Sequence, residues 1–261
     1  MQIFKNRIVI GVACIILSLV ICFAVTPLFN RSISEKAQIV IDCGSTKRHL
    51  MQAFKAVDAV PENTHGIFIT HTHSDHISQK KIFANIPMYS YCDIGDVECP
   101  VHVEPFQVIG IEDLRIQVIP LSHDCPKTAG YVVTDGSQTL VYITDTGYLA
   151  NSNKPYLKNA NYYIFESNHD VAMLMATNRP LFLKQRILSP SGHLNNEDCA
   201  KNLTELVGDQ TSQIILAHIS QEANTAELAL KTTYEVFERK EISLEHITVR
   251  AAGQYDIETI A

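Results

Sequence analysis

The run His71-Thr72-His73-Ser74-Asp75-His76 constrains this chain more than any other stretch. It places three imidazoles and a carboxylate directly after the apolar, β-rich segment Ile67-Phe68-Ile69-Thr70. Neutral imidazole and carboxylate are the donors that borderline divalent cations such as zinc prefer. His71 and His73 stand two apart, so in an extended segment both point to one side and can share an ion. Asp75 and His76 follow as the chain turns and are placed to hold a second ion nearby. A fold that uses this run must deliver it at a strand end and bring more ligands in from elsewhere.

Such ligands occur at comparable points along the chain. Residues 114–120 read as a strand that runs into Leu121-Ser122-His123-Asp124. Residues 130–134 and 139–143 flank an Asp135-Gly136 turn, a hairpin signal, and the second of these strands runs into Thr144-Asp145-Thr146-Gly147. Residues 212–217 form another apolar strand, followed by His218. Helices are expected over 46–59, capped by Ser45 with Leu50, Phe54 and Val57 on one face, and over 196–207, led by Asn195 and closed by Gly208. A third is expected over 225–239. The chain shows no internal repeat and no low-complexity tract.

Taken together, these runs resemble the metallo-β-lactamase superfamily over residues 39–219. Asp42 in Ile41-Asp42-Cys43-Gly44 is similar to that family's first motif, the run from His71 to His76 to its second, and His123, Asp145 and His218 to the three that follow. The resemblance implies a four-layer αββα sandwich of the α/β class. It further implies that His71, His73 and His123 hold one metal ion, that Asp75, His76 and His218 hold the other, and that Asp145 bridges them. Asp42 would orient ligand histidines through hydrogen bonds. The lactamases proper resemble one another in having cysteine where Asp145 stands, which disfavours β-lactam hydrolysis.

Further runs are similar to the WalJ (YycJ) group of bacterial exonucleases: residues 165–170 with Glu166 and His169, Ser191-Gly192-His193, Leu183-Lys184-Gln185-Arg186-Ile187 and Leu216-Ala217-His218-Ile219-Ser220. About seventy residues separate Asp145 from His218, too few for a β-CASP insertion in addition to the core elements. The resemblance implies phosphodiester hydrolysis, 5′-to-3′ trimming of DNA or RNA, with two divalent ions, zinc or manganese. Two such ions about 3.5–4 Å apart can share a hydroxide nucleophile and neutralise a phosphate. His193, with Asp75, is the candidate catalytic residue, either contacting a phosphate oxygen or protonating the leaving group. Glu166, His169 and Ser191 are expected to support the site or the substrate. A glyoxalase-II-like hydrolase of a small thioester or lactone is the alternative, with the same metal site.

The net charge of −7 opposes tight duplex binding, because affinity for phosphates comes largely from cationic contacts. Two dications would bring it to −7 + 4 = −3, with the gain focused at the cleft. Residues 8–25 form an uncharged apolar run preceded by Lys5 and Arg7, long enough for a membrane helix, and no Ala-x-Ala cleavage site follows. Residues 1–36 are therefore expected to be a membrane anchor or signal-like segment with its linker (27–36), and residues 37–261 the hydrolase domain. The family resemblance alone points to the cytoplasm. The group's opening Ser-Gly-Ser-like turn is absent, since Gly11 is the only glycine before Gly44, so a first-strand element is expected to be missing or replaced. Cys92 and Cys99 are spaced to pair across a loop or to stay reduced. Oligomeric state is left open.

Overall fold

Residues 8–13, 16–22, 37–253 and 256–260 are described by a computed structural model, with side chains for 37–253. The first sheet opens with β1 (Ile8–Ala13), β2 (Ile16–Cys22), β3 (Gln38–Ile41), β4 (Gly66–Ile69), β5 (Met88–Ser90) and β6 (Pro100–His102). The second takes β7 (Val108–Ile111), β8 (Leu114–Leu121), β9 (Thr128–Thr134), β10 (Thr139–Ile143), β11 (Tyr162–Glu166), β12 (Gln213–Ala217) and β13 (Thr248–Ala251). The strand β14 (Asp256–Ile260) returns to the first sheet, where it pairs antiparallel with β1. Among the described residues each sheet has seven strands, ordered β14-β1-β2-β3-β4-β5-β6 and β13-β12-β11-β10-β9-β8-β7.

The short runs Gln-Ile-Val-Ile of β3 and Gly-Ile-Phe-Ile of β4 are buried throughout. Continuous apolar runs suit parallel strands covered on both faces, and β3–β6 and β10–β13 pair in parallel. Alternation along each strand divides the core. Ile39, Ile41 and Phe68 face Ile116, Val118 and Tyr131 between the sheets. Val40, Ile67 and Ile69 turn the other way, toward Leu50 and Phe54 of helix α1 (Lys47–Ala56). The connections carry α2 (Ser74–Ile77), α3 (Lys154–Leu157), α4 (Val171–Ala176) and α5 (Leu181–Leu188). Helices α6 (Asn196–Leu206) and α7 (Ala226–Arg239) cover the second sheet, where Leu203 and Phe237 pack on Val141, Ile143 and Phe165. Each such fully buried side chain contributes about 1.5–3 kcal/mol. The layers are therefore helix, sheet, sheet, helix, as expected.

Several boundaries differ from the sequence expectation. The first helix starts at Lys47 and is capped by Thr46, whose side chain accepts from His49 N, so Ser45 is not the cap. Asn195 caps α6 as expected, but the helix ends at Leu206 and Val207 turns extended. Gly208 instead makes close room for Asn159, whose Oδ1 would lie 2.4 Å from an added Cβ.

The larger correction concerns the apolar N-terminal run. Residues 8–13 and 16–22 form an antiparallel hairpin, with Gly11 opposite Ser18, and β2 pairs antiparallel with β3. Isoleucine and valine dominate both segments, and β-branched residues fit a pleated sheet better than a helix. The first-strand element expected to be missing or replaced is thus supplied by the run expected to cross a membrane. Among the described residues no helix is long and apolar enough to do so. The end of that run at Val25 and the linker over 27–36 lie outside the described residues.

Candidate metal centre

The predicted residues converge because their strands end on one side of the sandwich. Strand β3 hands the chain to Asp42, β4 to Thr70 and His71, β8 to His123, β10 to Asp145 and β12 to His218, while Glu166 is the last residue of β11. Asp42, Asp145 and His218 adopt left-handed backbone at φ 58°, 57° and 58°. That conformation costs a non-glycine residue on the order of 1 kcal/mol. Glycine would adopt it freely but would lose the side chain that each of these positions presents.

Two triads of donor atoms result, each lying within 4.8 Å of one another: His71 with His73 and His123, and Asp75 with His76 and His218. His71 Nε2 lies 2.9 Å from His73 Nδ1, and His76 Nε2 lies 3.8 Å from Asp75 Oδ2. Asp145 stands between the triads, its Oδ1 3.8 Å from His123 Nε2 and 3.3 Å from His218 Nε2, and its Oδ2 3.4 Å from His76 Nε2. His76 Nε2 and Asp145 Oδ2 are buried and have no hydrogen-bond partner. Leaving buried polar atoms unpaired costs about 1–3 kcal/mol each, a cost that a shared cation removes. This donor set fits a pair of divalent ions.

The outward-facing nitrogens of these rings are held in place. Asp42 Oδ2 lies 2.7 Å from His76 Nδ1, and Asp42 also accepts from the Thr70 backbone N–H and hydroxyl at 2.8 Å each. The Thr70 hydroxyl oxygen accepts in turn from His71 Nδ1 at 3.0 Å. His123 Nδ1 donates to the Gly192 carbonyl at 3.0 Å. Glu166 Oε1 accepts from His218 Nδ1 at 2.8 Å and His193 Nδ1 at 2.7 Å, and its Oε2 accepts from Thr146 N at 2.9 Å. Holding the proton on Nδ1 leaves Nε2 as the metal-facing lone pair. Of these braces, Thr70 and the Gly192 carbonyl were not among the sequence candidates. A polar Thr closing an apolar strand was the one available signal.

Charge follows the same geometry. Burial acts to lower the pKa of His76, but the Asp42 and Asp145 carboxylates outweigh it and lift the ring to about 9. Burial likewise opposes the charge on His218, yet Asp145 and Glu166 lift it to about 10. Burial holds the His71 and His123 rings down, in the neutral form. Glu166 is depressed to about 2: its burial is outweighed by His193 and His218. A metal held by His76 and His218 would have to displace these protons. Loading zinc onto metal-free protein near pH 7.5 is therefore expected to release protons, with affinity rising as pH increases toward about 10. An indicator-dye titration in weak buffer reads both, and uptake without proton release would exclude these two rings as ligands.

Gly44 keeps the second triad in register. A Cβ there would lie 1.5 Å from the Asp75 carbonyl oxygen and 2.4 Å from His76 N. Next to it, Cys43 N donates to His76 O at 2.7 Å and Gln79 N to Cys43 O at 2.8 Å. Gly44→Ala should therefore destabilise the fold by about 1–3 kcal/mol or more and weaken metal binding at Asp75 and His76. A lowered melting temperature together with reduced metal content checks this, and an unchanged melting temperature would refute it.

The remaining candidates lie at different distances from the chemistry. His193 reaches the cluster, 3.7 Å from Asp145 Oδ1. His169 is fully buried and its backbone pairs with the segment after His193, through Asn196 N to His169 O at 2.9 Å, while its ring makes no hydrogen bond. The hydroxyl of Ser191 contacts Ser189 Oγ at 3.2 Å and no ligand residue. Cys43, Cys92, Cys99, Cys125 and Cys199 are free thiols.

An αββα sandwich that gathers a three-histidine triad and a His/Asp triad on either side of one aspartate defines a metal-dependent hydrolase. The chain belongs to the β-lactamase superfamily, whose family model, the beta-lactamase superfamily domain, matches residues 37–219. It is 32% identical over 222 residues to exodeoxyribonuclease YycJ of Bacillus anthracis, covering 79% of this chain and 83% of that one. It is also 32% identical over 214 residues to exodeoxyribonuclease WalJ of Streptococcus pneumoniae, covering 76% and 80%. The crystal structure of the metallo-β-lactamase fold protein YhfI from Bacillus subtilis matches with a TM-score of 0.66, covering 98% of this chain and 100% of that one at 18% identity, a likeness of fold.

Proposed function

We propose that the chain is an exonuclease that trims DNA in the 5′-to-3′ direction, using two divalent ions, zinc or manganese, held by His71, His73 and His123, by Asp75, His76 and His218, and by Asp145 between them. The observation that carries this reading is the open pocket beside the cluster, lined by Asp75, Asn168, Arg179, His193, His218 and Ser220. It sets a guanidinium and an imidazole next to metal-type donors, which suits a phosphodiester better than a neutral acyl group. The names of the relatives at 32% identity support the same chemistry.

Bound divalent ions supply Lewis acidity and lower the pKa of water. The protein's own groups do the positioning. Glu166 accepts from His193 Nδ1 and turns Nε2 toward substrate, where the N–H of the doubly protonated ring would donate to a phosphate oxygen or pass its proton to the departing one. Arg179, held 2.9 Å from Glu222, offers a planar cation to a neighbouring phosphate.

Chelator-treated protein should leave 5′-labelled and 3′-labelled single-stranded DNA intact and release nucleotides once zinc or manganese is restored. Early loss of the 5′ label gives the direction. Intact DNA alongside turnover of a thioester or lactone would move the chain to the small-molecule branch of the superfamily.

A further inference from the structure

One carboxylate beside the cluster has no role so far. Asp124 follows His123, and its Oδ1 is buried without a hydrogen-bond partner. That oxygen lies 3.1 Å from His123 Nε2 and 3.6 Å from His73 Nε2. The other oxygen, Oδ2, is gripped by both Nε and Nη2 of Arg186 on α5. The pair therefore has a direction: the guanidinium fixes one side of the carboxylate and turns the other toward the His71, His73 and His123 triad.

The arrangement at His123 is unfavourable without a cation. Its Nδ1 donates to the Gly192 carbonyl, which can only accept, so Nε2 carries a lone pair in the neutral ring. A lone pair and a carboxylate oxygen then face each other at 3.1 Å. Two acceptors at hydrogen-bond distance repel unless a positive charge lies between them. The three-histidine triad is also the poorer of the two in negative charge, since its own members are all neutral donors and Asp145 is shared with the second triad.

We infer that Asp124, held by Arg186, supplies a carboxylate oxygen to the surroundings of the ion at the three-histidine position and stabilises that ion selectively. The inference rests on the metal reading of His71, His73 and His123, and not on the choice of substrate. Arg186 reaches Asp124 from α5, whose Ile187 carbonyl also accepts from His193 N at 3.0 Å. The same short helix thus holds an anion at the first ion and the loop of the candidate acid. Arg186 itself is 55% exposed, so its replacement leaves the fold's core untouched.

The test uses cobalt(II) alone, with full-length metal-free protein, following uptake by equilibrium dialysis and the visible d–d spectrum. The parent protein is expected to take up two ions. Asp124→Asn should weaken one of them by about tenfold or more and change that ion's spectrum, leaving the other as it was. Arg186→Ala should weaken the same ion, and Arg186→Lys should do so less. Unchanged affinity and spectrum in Asp124→Asn would overturn the inference, as would equal weakening of both ions. His73→Ala serves as the reference, since it should lose the ion that Asp124→Asn weakens. If His73→Ala still bound two ions, the metal reading itself would fail and the role of Asp124 with it.

Discussion

Asp145→Asn should abolish hydrolysis and strip metal from both positions at once. Asp145 is the one described residue whose carboxylate meets both triads, with Oδ1 toward His123 and His218 and Oδ2 toward His76. It is 2% exposed, so burial works against its charge, yet His218, His76 and His71 outweigh that and hold its carboxyl well below the usual range. An amide has the same shape but no charge, and one of its two ends is a donor. That end would point at groups that are themselves cationic or metal-directed. Losing several kcal/mol of charge stabilisation corresponds to a fall of about 10³-fold or more in turnover. Metal analysis of the purified variant, alongside the nuclease assay, checks both halves. Full occupancy with two ions in Asp145→Asn would remove Asp145 from its bridging role.

His193→Ala should produce the opposite signature: both ions retained, and turnover reduced by about 10²–10⁴-fold, the usual range for a missing proton donor or acceptor. The contrast is informative because His193 has two possible places. Its donor atom lies within 4.8 Å of those of Asp145, Glu166 and His218, so it stands close enough to be a ligand itself. Its Nδ1, however, is taken by Glu166 at 2.7 Å, and Glu166 also steadies His218. Removing the ring leaves Glu166 still bound to His218, so the second triad should persist. Loss of metal in His193→Ala would reassign the residue from proton transfer to ligation. Glu166→Gln is the useful companion, because it disturbs both rings and should lower metal content and turnover together.

The histidines that the fold gathers were legible because metal chemistry would demand them at fixed local spacing. Two imidazoles at alternate positions after a strand announce themselves without knowledge of the rest of the chain. Of the groups that hold those rings, Asp42 and Glu166 came with the family resemblance, while Thr70 and the Gly192 carbonyl were silent. Asp42 and Thr70 are 28 residues apart, His123 and the Gly192 carbonyl 69, and Asp124 and Arg186 62. Such pairs exist only once the strands are side by side, and a backbone carbonyl has no signature in sequence at all. The misjudged N-terminal run has a different cause. Hydropathy measures the wish to leave water, which a helix in lipid and two short strands in a sheet satisfy equally. The β-branched content of residues 8–13 and 16–22 was the discriminating feature, and it favours strands. The cap of α1 was missed by one residue, Ser45 for Thr46, because two adjacent hydroxyls are equally able to accept from the first turn.

The pairing of β1 with β14 also bears on how the chain assembles as it is made. Ile8 stands opposite Ile260, so one flank of the first described strand is matched by a strand synthesised after the whole of the second sheet. Until then the backbone donors and acceptors on that flank are an open template, the kind of edge on which nascent chains stick to one another. Closure of the sandwich is therefore a late, long-range event. It favours slow folding of the first sheet, with the loops that follow β4, β8, β10 and β12 free to organise before the edge beside β1 is sealed.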